Sequence, residues 1–202
     1  MKAYNLLFFG IIAILGIACQ STVPPSELVS YVKNPENGLN KNKKMGPLNM
    51  ELQYKPIPFV ISNELRRNTI SSDEYQTRFD DLKGLQYYNL KLSISQKGMD
   101  VTNFNVADMG AQQERLQYLA FGMQHDIRLV QGSDTLRPVL YHFERSFNLT
   151  PHRTFVLAFE ETESIADNDK VFILDSPIFN TGPMKLSIRK EAIQNIPNIK
   201  LL

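Results

Sequence analysis

The chain has 202 residues, 43% of them hydrophobic and 21% charged, with 22 basic against 21 acidic side chains. That composition suits one packed domain rather than a disordered chain. The balanced charge leaves no basic excess to drive nucleic-acid binding, so no nucleic-acid partner is expected. A single cysteine excludes an internal disulfide framework.

At the N-terminus Lys2 precedes an unbroken apolar run, Leu6 to Ala18, which closes on small residues before Cys19. The run is too short to span a bilayer as a helix, which takes about 20 residues. A short apolar stretch behind a positive end reads as an export signal. Leu15-Gly16-Ile17-Ala18-Cys19 resembles a bacterial lipobox, with Gly16 where a leucine is usual and the leucine one place earlier. The resemblance implies removal of residues 1–18 and acylation of Cys19 as the new N-terminus. It also implies that membrane lipid is a partner through that acyl group. Removing Lys2 with the signal leaves equal numbers of acids and bases. No polybasic segment remains to hold a membrane surface, and no thiolate remains for catalysis or soft metals. No cofactor is expected. Gln20 follows the cysteine where aspartate often marks inner-membrane retention, so the resemblance points to the outer membrane.

Residues 19–26 read as a tether, since adjacent Pro24 and Pro25 favour an extended spacer. At about 3.1 Å per residue, the seven residues from Gln20 to Ser26 reach roughly 20 Å, keeping the domain near its membrane. A single globular domain is then expected over 27–202. Glu27 to Lys33 suggests a short helix, ended by Asn34-Pro35-Glu36-Asn37-Gly38. Leu48, Met50, Leu52 and Tyr54 alternate with polar residues as in a half-buried strand. Pro56 and Pro58 end it, and Phe59 to Arg67 reads as helical. Ser71 and Glu74 form a capping box, followed by Tyr75, Phe79 and Leu82 at helical spacing and then Gly84. Tyr88, Leu90, Leu92 and Ile94 mark the clearest strand. Ala111 to Met123 reads as one helix with Leu116, Leu119, Ala120 and Met123 as its apolar stripe. His125 to Gln131 and Thr135 to Glu144 read as a hairpin about Gly132-Ser133-Asp134. Arg153 to Glu160, Lys170 to Asp175 and Met184 to Lys190 complete the strands. The expected class is α+β, an antiparallel sheet or β-sandwich-like core with a few short helices, the sandwich character lying in the C-terminal half.

Chemistry is sparse. His125, His142 and His152 lack any recognised metal-ligand spacing, so no metal site is expected. Ser30 to Lys33 and Ser187 to Lys190 have the Ser-x-x-Lys form, but neither has the companion motifs of penicillin-recognising enzymes. Asp167-Asn168-Asp169 begins like a calcium loop, yet Val171 takes the third ligand position and the glycine is missing. Glu160, Glu161 and Glu163 offer paired carboxylates but sit where a strand runs into a loop. Asn148-Leu149-Thr150 has the form of an N-glycan acceptor. Asp134-Thr135-Leu136 resembles the acidic–hydroxyl–aliphatic site of bacterial O-glycosylation, with Thr135 the candidate acceptor. The terminal Ile196-Pro197-Asn198-Ile199-Lys200-Leu201-Leu202 reads as a last edge strand rather than as a segment offered to a partner.

Three scattered stretches resemble small lipoproteins of the Bacteroidetes type: Tyr31 to Leu39, Gln53-Tyr54-Lys55-Pro56, and Asp175 to Gly182. The resemblance carries localisation and no catalytic residue. The expected function is a lipid-anchored, non-enzymatic envelope protein that binds a protein partner in a surface or periplasmic assembly. Two alternatives stay open: a hydrolase or small-ligand or glycan binder built from distant loops, with His142 and Glu144 or the carboxylates near Glu160, and an immunity or inhibitor lipoprotein. Replacing Cys19 with serine should abolish incorporation of labelled palmitate and leave unprocessed or soluble protein; undiminished labelling of the variant would sink the lipobox reading.

Overall fold

The computed structural model describes residues 21–144, 150, 152–162 and 167–202. The signal and Cys19 lie outside them. The described part of the tether is built into the fold instead of hanging free. Thr22–Val23 (β1) pairs in parallel with Asn198–Ile199, and Pro25 already opens helix α1 (Pro25–Lys33). Proline suits that place because the first helical N–H has no intrahelical partner to lose. Glu27 in the first turn and Lys33 in the last both complement the helix dipole. The helix stops at Asn34, whose Oδ1 accepts from the Glu36 amide at 3.1 Å and starts a short 3-10 turn, Pro35–Asn37. Gly38 closes that turn at φ 77°, a left-handed conformation that costs glycine little.

Two strands follow, β2 (Asn40–Met45) and β3 (Leu48–Lys55). β2, Asn-Lys-Asn-Lys-Lys-Met, has no apolar alternation and was not expected; it forms because it pairs along its whole length with β3. β3 has the expected alternation, with Leu48, Met50, Leu52 and Tyr54 all buried. Helices α2 (Ile57–Leu65) and α3 (Ser72–Leu82) come next. Ser71 caps α3 as expected, its Oγ accepting from the Glu74 amide at 3.3 Å. No residue of α3 is fully buried, so its Tyr75 and Phe79 pack on each other at 6.0 Å near the surface.

β4 (Leu85–Ile94) pairs with β3 on one side and with β8 (His152–Glu160) on the other. The expected long helix over 111–123 is shorter. Asp108 caps α4 (Met109–Gln117), whose end passes into one π-helical turn, Tyr118–Gly122, and a 3-10 segment, Met123–Asp126. The altered winding turns Leu119 and Met123 into the core but leaves Leu116 exposed. β5 (Ile127–Gln131) and β6 (Asp134–Leu136) form the expected hairpin. Its second arm, however, does not continue to Glu144. Pro138, which cannot donate to a ladder, lies where the chain leaves β6, and β7 (Leu140–Phe143) joins the other sheet on β8. β9 (Lys170–Leu174), β10 (Met184–Ile188), a short α5 (Lys190–Gln194) and β11 (Asn198–Ile199) complete the chain.

The result is an α+β protein built on two antiparallel sheets, ordered β2-β3-β4-β8-β7 and β10-β9-β5-β6. The sandwich is not confined to the C-terminal half, because β3 and β4 are central strands of the larger sheet. The sheets meet along β2 and β10. On the side of β7, the 118–126 segment closes the border, where the Tyr141 hydroxyl donates to the Leu119 carbonyl. Leu52, Leu90 and Phe155 form one cross-strand row of the larger sheet, and Leu129, Phe172 and Leu186 a row of the smaller. Full burial of such a side chain stabilises the fold by about 1.5–3 kcal/mol. The C-terminal strand docks as expected, though onto β1 rather than onto either main sheet, and the Leu202 amide donates to the Ile70 carbonyl at 3.0 Å.

One ion pair anchors the end of the sandwich opposite α1, α2 and α3. Arg153 on the inner face of β8 meets Asp100 at 3.0 Å, with side chains only 9% and 15% exposed. Asp100 also accepts from the Thr102 amide at 2.8 Å and hydroxyl at 2.7 Å, ordering the loop before α4. Asp100→Ala should destabilise the protein by about 3 kcal/mol, the low end for breaking a buried pair. Urea denaturation checks this, and a loss below about 1 kcal/mol would show that the pair carries little.

Candidate functional site

Strand direction sorts the connections to two ends. β2 is entered from α1, β3 runs into α2, and β4 starts after α3. β8 and β5 finish at this same helical end, and β9 starts there. The inner-face positions at this end are Tyr54, Gln86, Tyr88, Gln131 and Lys170, all buried. Polar side chains therefore occupy a place that the strand pattern reserves for apolar ones.

Most of their polar atoms find partners. The Tyr88 hydroxyl donates to Gln86 Oε1 at 2.9 Å. Gln86 Nε2 donates to Gln131 Oε1 at 3.0 Å and to the Glu160 carbonyl at 3.1 Å. Two donors are left over: Gln131 Nε2 and Lys170 Nζ are buried without a hydrogen-bond partner among the described residues. These residues are directly opposite each other on β5 and β9, so their side chains stand together on one face. An unpaired buried donor costs about 1–3 kcal/mol, against the about 0.5–1.5 kcal/mol that a satisfied hydrogen bond contributes.

Burial pushes the Lys170 ammonium down to about 8, against the opposing pull of Glu161, Asp167 and Asp169. Burial, and then the charge of Glu161, pushes the Tyr54 hydroxyl up, while burial and then Tyr54 raise Tyr88. Beside this cluster lies a cavity of about 260 Å³ lined by Gln131, Gly132, Ser133, Asp134, Thr162 and Asn168. Its wall is the β5–β6 turn, where Gly132 at φ 57° takes the first position of a two-residue loop. A second, open groove of about 370 Å³ runs between α1 and α2 and carries Lys33, Arg66 and Arg67.

The residues singled out in the sequence do not converge. Cys19, Asn148 and Glu163 lie outside the described residues. Thr135 is exposed on β6, an edge strand, so it is accessible to a modifying enzyme. His125 is exposed in the 3-10 segment, His142 is exposed on β7 opposite Val156, and His152 pairs with Ser93. No group of three potential metal ligands exists among the described residues. His142 and Glu144 are both exposed, and Glu160 is exposed at the end of β8. The Ser30 hydroxyl donates to the Ser26 carbonyl at 3.0 Å, and Ser187 lies in β10. Asp169 is occupied in capping, its Oδ1 accepting from the Lys190 amide at 2.9 Å. Lys170 and Gln131 were missed. Their signal was present, since Lys170 is in phase with Phe172 and Leu174, and Gln131 with Ile127 and Leu129.

A different surface feature accompanies β7, which borders the larger sheet. Phe121 is 69% exposed, Val139 55%, Leu140 41% and Leu116 38%. The bond from Tyr141 to Leu119 ties the π-helical turn, which carries Phe121, to β7, which Val139 precedes and Leu140 opens. Compared with known protein families, with curated proteins and with solved structures, the chain matches none of them. No helix among the described residues is long and apolar enough to cross a membrane.

Lys170 gives the site a pH signature. An unfolded lysine keeps its proton to about 10.4, whereas folded Lys170 loses it near 8. Between those values the unfolded state binds more protons, so stability rises with pH across that window. Lys170→Met removes this contribution. The stability advantage of the variant over the parent should be largest at pH 7 and shrink by pH 10, measured by urea denaturation. Taking the difference cancels the tyrosines, whose raised values act in the opposite sense above pH 10. A constant difference would mean that Lys170 is not buried as an ammonium.

Proposed function

We propose that this chain is a lipid-anchored, non-enzymatic envelope protein that binds a protein partner, anchored through acylated Cys19 in the outer membrane. The observation that carries the partner reading is the exposure of large apolar Leu116, Phe121, Val139 and Leu140 on or next to elements that the Tyr141–Leu119 hydrogen bond joins. Large apolar side chains that cluster on a surface mark interaction sites, whereas scattered ones need no explanation. β7 adds a strand edge beside them, which an extended segment can extend by main-chain hydrogen bonding.

The anchor reading gains support from the way the chain enters the fold. The Asn198 amide donates to the Ser21 carbonyl at 2.9 Å, so the fold begins within two residues of Cys19. Two extended residues span about 7 Å. An acyl chain at Cys19 therefore holds the helical end against the bilayer, and the basic groove of Lys33, Arg66 and Arg67 belongs to that end.

A photo-crosslinking residue placed at Phe121 or Val139 in the native envelope should yield one discrete protein adduct. The same residue at Lys185, exposed on β10, should yield none. Phe121→Ser should lose the partner while changing stability by no more than about 0.5 kcal/mol, as befits an exposed site. Equal adducts from all three positions, or full partner recovery with the serine variant, would remove this border as the binding surface.

A further inference from the structure

The groove between α1 and α2 carries positive charge that the fold leaves uncompensated. Among the described residues no carboxylate lines it. Lys33 lies in the last turn of α1, Arg66 ends α2 and Arg67 follows it. Arg67 is neutralised by Glu74, and Glu64, in an adjoining hollow, is taken by Arg78. Lys33 and Arg66 enter no ion pair among the described residues. Asn63 and Arg66 line both the groove and the hollow, which adds Lys55.

Arg66 is strained as well as unpaired. It ends α2 at φ 51°, in the left-handed region where a helix more often places glycine or asparagine. The other non-glycine residues at positive φ among those described, Asn105 and Asn180, are asparagines, which tolerate that conformation. Strain of this kind concentrates at functional sites.

The way the chain enters the fold selects the anion. Pro25, on the wall of the groove, is six residues from Cys19, at most about 22 Å of extended chain. Two cations in an open groove hold a free ion poorly, because exposed ion pairs contribute little in water. A bilayer, by contrast, presents its headgroups at high effective concentration to a domain tethered beside it. We propose that the groove receives the phosphate of an anionic phospholipid headgroup between Lys33 and Arg66, an assignment that rests on the Cys19 anchor. No bond is made or broken; the contact orients the anchored domain with its helical end toward the headgroups. The sequence has no polybasic run, and folding assembles the charges from two helices instead.

The test takes the protein as extracted from native membranes, with a photo-crosslinking residue at Asn63. It is reconstituted into phosphatidylcholine vesicles with or without phosphatidylglycerol. Flotation with the vesicles reads the anchor, and a lipid adduct at Asn63, identified by mass, reads the groove. The protein should float with both vesicles, and the adduct should rise with the phosphatidylglycerol fraction. Lys33→Gln and Arg66→Gly should each lower it about fivefold, the weight of one cation near an anionic membrane. Lys185→Gln, at an exposed position of β10, should leave it unchanged. Glycine enters the left-handed region freely, so Arg66→Gly should melt no lower than the parent, and its loss is of charge rather than of fold. Free phosphate at matched ionic strength should leave the adduct intact. An adduct indifferent to phosphatidylglycerol, full labelling of Arg66→Gly, equal loss in Lys185→Gln, or displacement by free phosphate would each overturn the proposal. Flotation without an adduct overturns it alone, whereas failure to float removes the anchor and this proposal with it.

Discussion

Two antiparallel sheets with no disulfide between them are held by contact between their inner faces, and that contact is aromatic at its centre. Phe159 of the larger sheet meets Phe172 of the smaller edge to face at 6.5 Å, and Tyr88 meets Phe159 in the same manner at 5.6 Å. Tyr54 extends the series at 5.3 Å from Tyr88. Edge-to-face rings add about 0.5–1.5 kcal/mol per pair beyond the area they bury. Everything outside this series is arranged around it. At one border β2 and β10 lie against each other, and at the opposite one the 118–126 segment fills the gap, with Leu119 and Met123 as the filling side chains.

The same aromatic series leads into the polar end. Tyr88 is at once a core ring and the donor to Gln86, which holds Gln131. A tyrosine in this role lets the interior change from apolar to polar without leaving the hydroxyl stranded. The cost falls one residue further along, on Gln131 Nε2 and Lys170 Nζ. Buried polar groups without partners work against folding, and these two stand opposite each other without a partner among the described residues.

Chain topology also separates the surfaces. The helical end gathers α1, α2, α3, the β1–β11 ribbon and the polar cluster, because β2, β3 and β4 all exchange chain with helices there. The far end is closed by the loop that Asp100 and Arg153 hold in place. The apolar border by β7 exists because Pro138 diverts the chain from one sheet to the other, leaving a short strand at the margin with Val139 and Leu140 uncovered.

The sequence by itself determined what depends on near neighbours. The alternation of Leu48 to Tyr54 and Tyr88 to Ile94, the Ser71 cap and the stop at Gly84 act within a few residues, and each is present in the structure. The α+β class followed from counting such elements. Tertiary structure alone decided whatever depends on a distant partner. β2 is a strand only because β3 pairs with it, and Thr22–Val23 is ordered only because Asn198–Ile199 comes back beside it. The winding after α4 changes because the border by β7 must be filled. The polar cluster lay between these cases. Period-two phase put Lys170 and Gln131 on the core face, but a lone polar residue in phase is ambiguous at a strand end. Only the register of β5 against β9 set the two donors side by side, because adjacency across strands is a property of pairing and not of either strand.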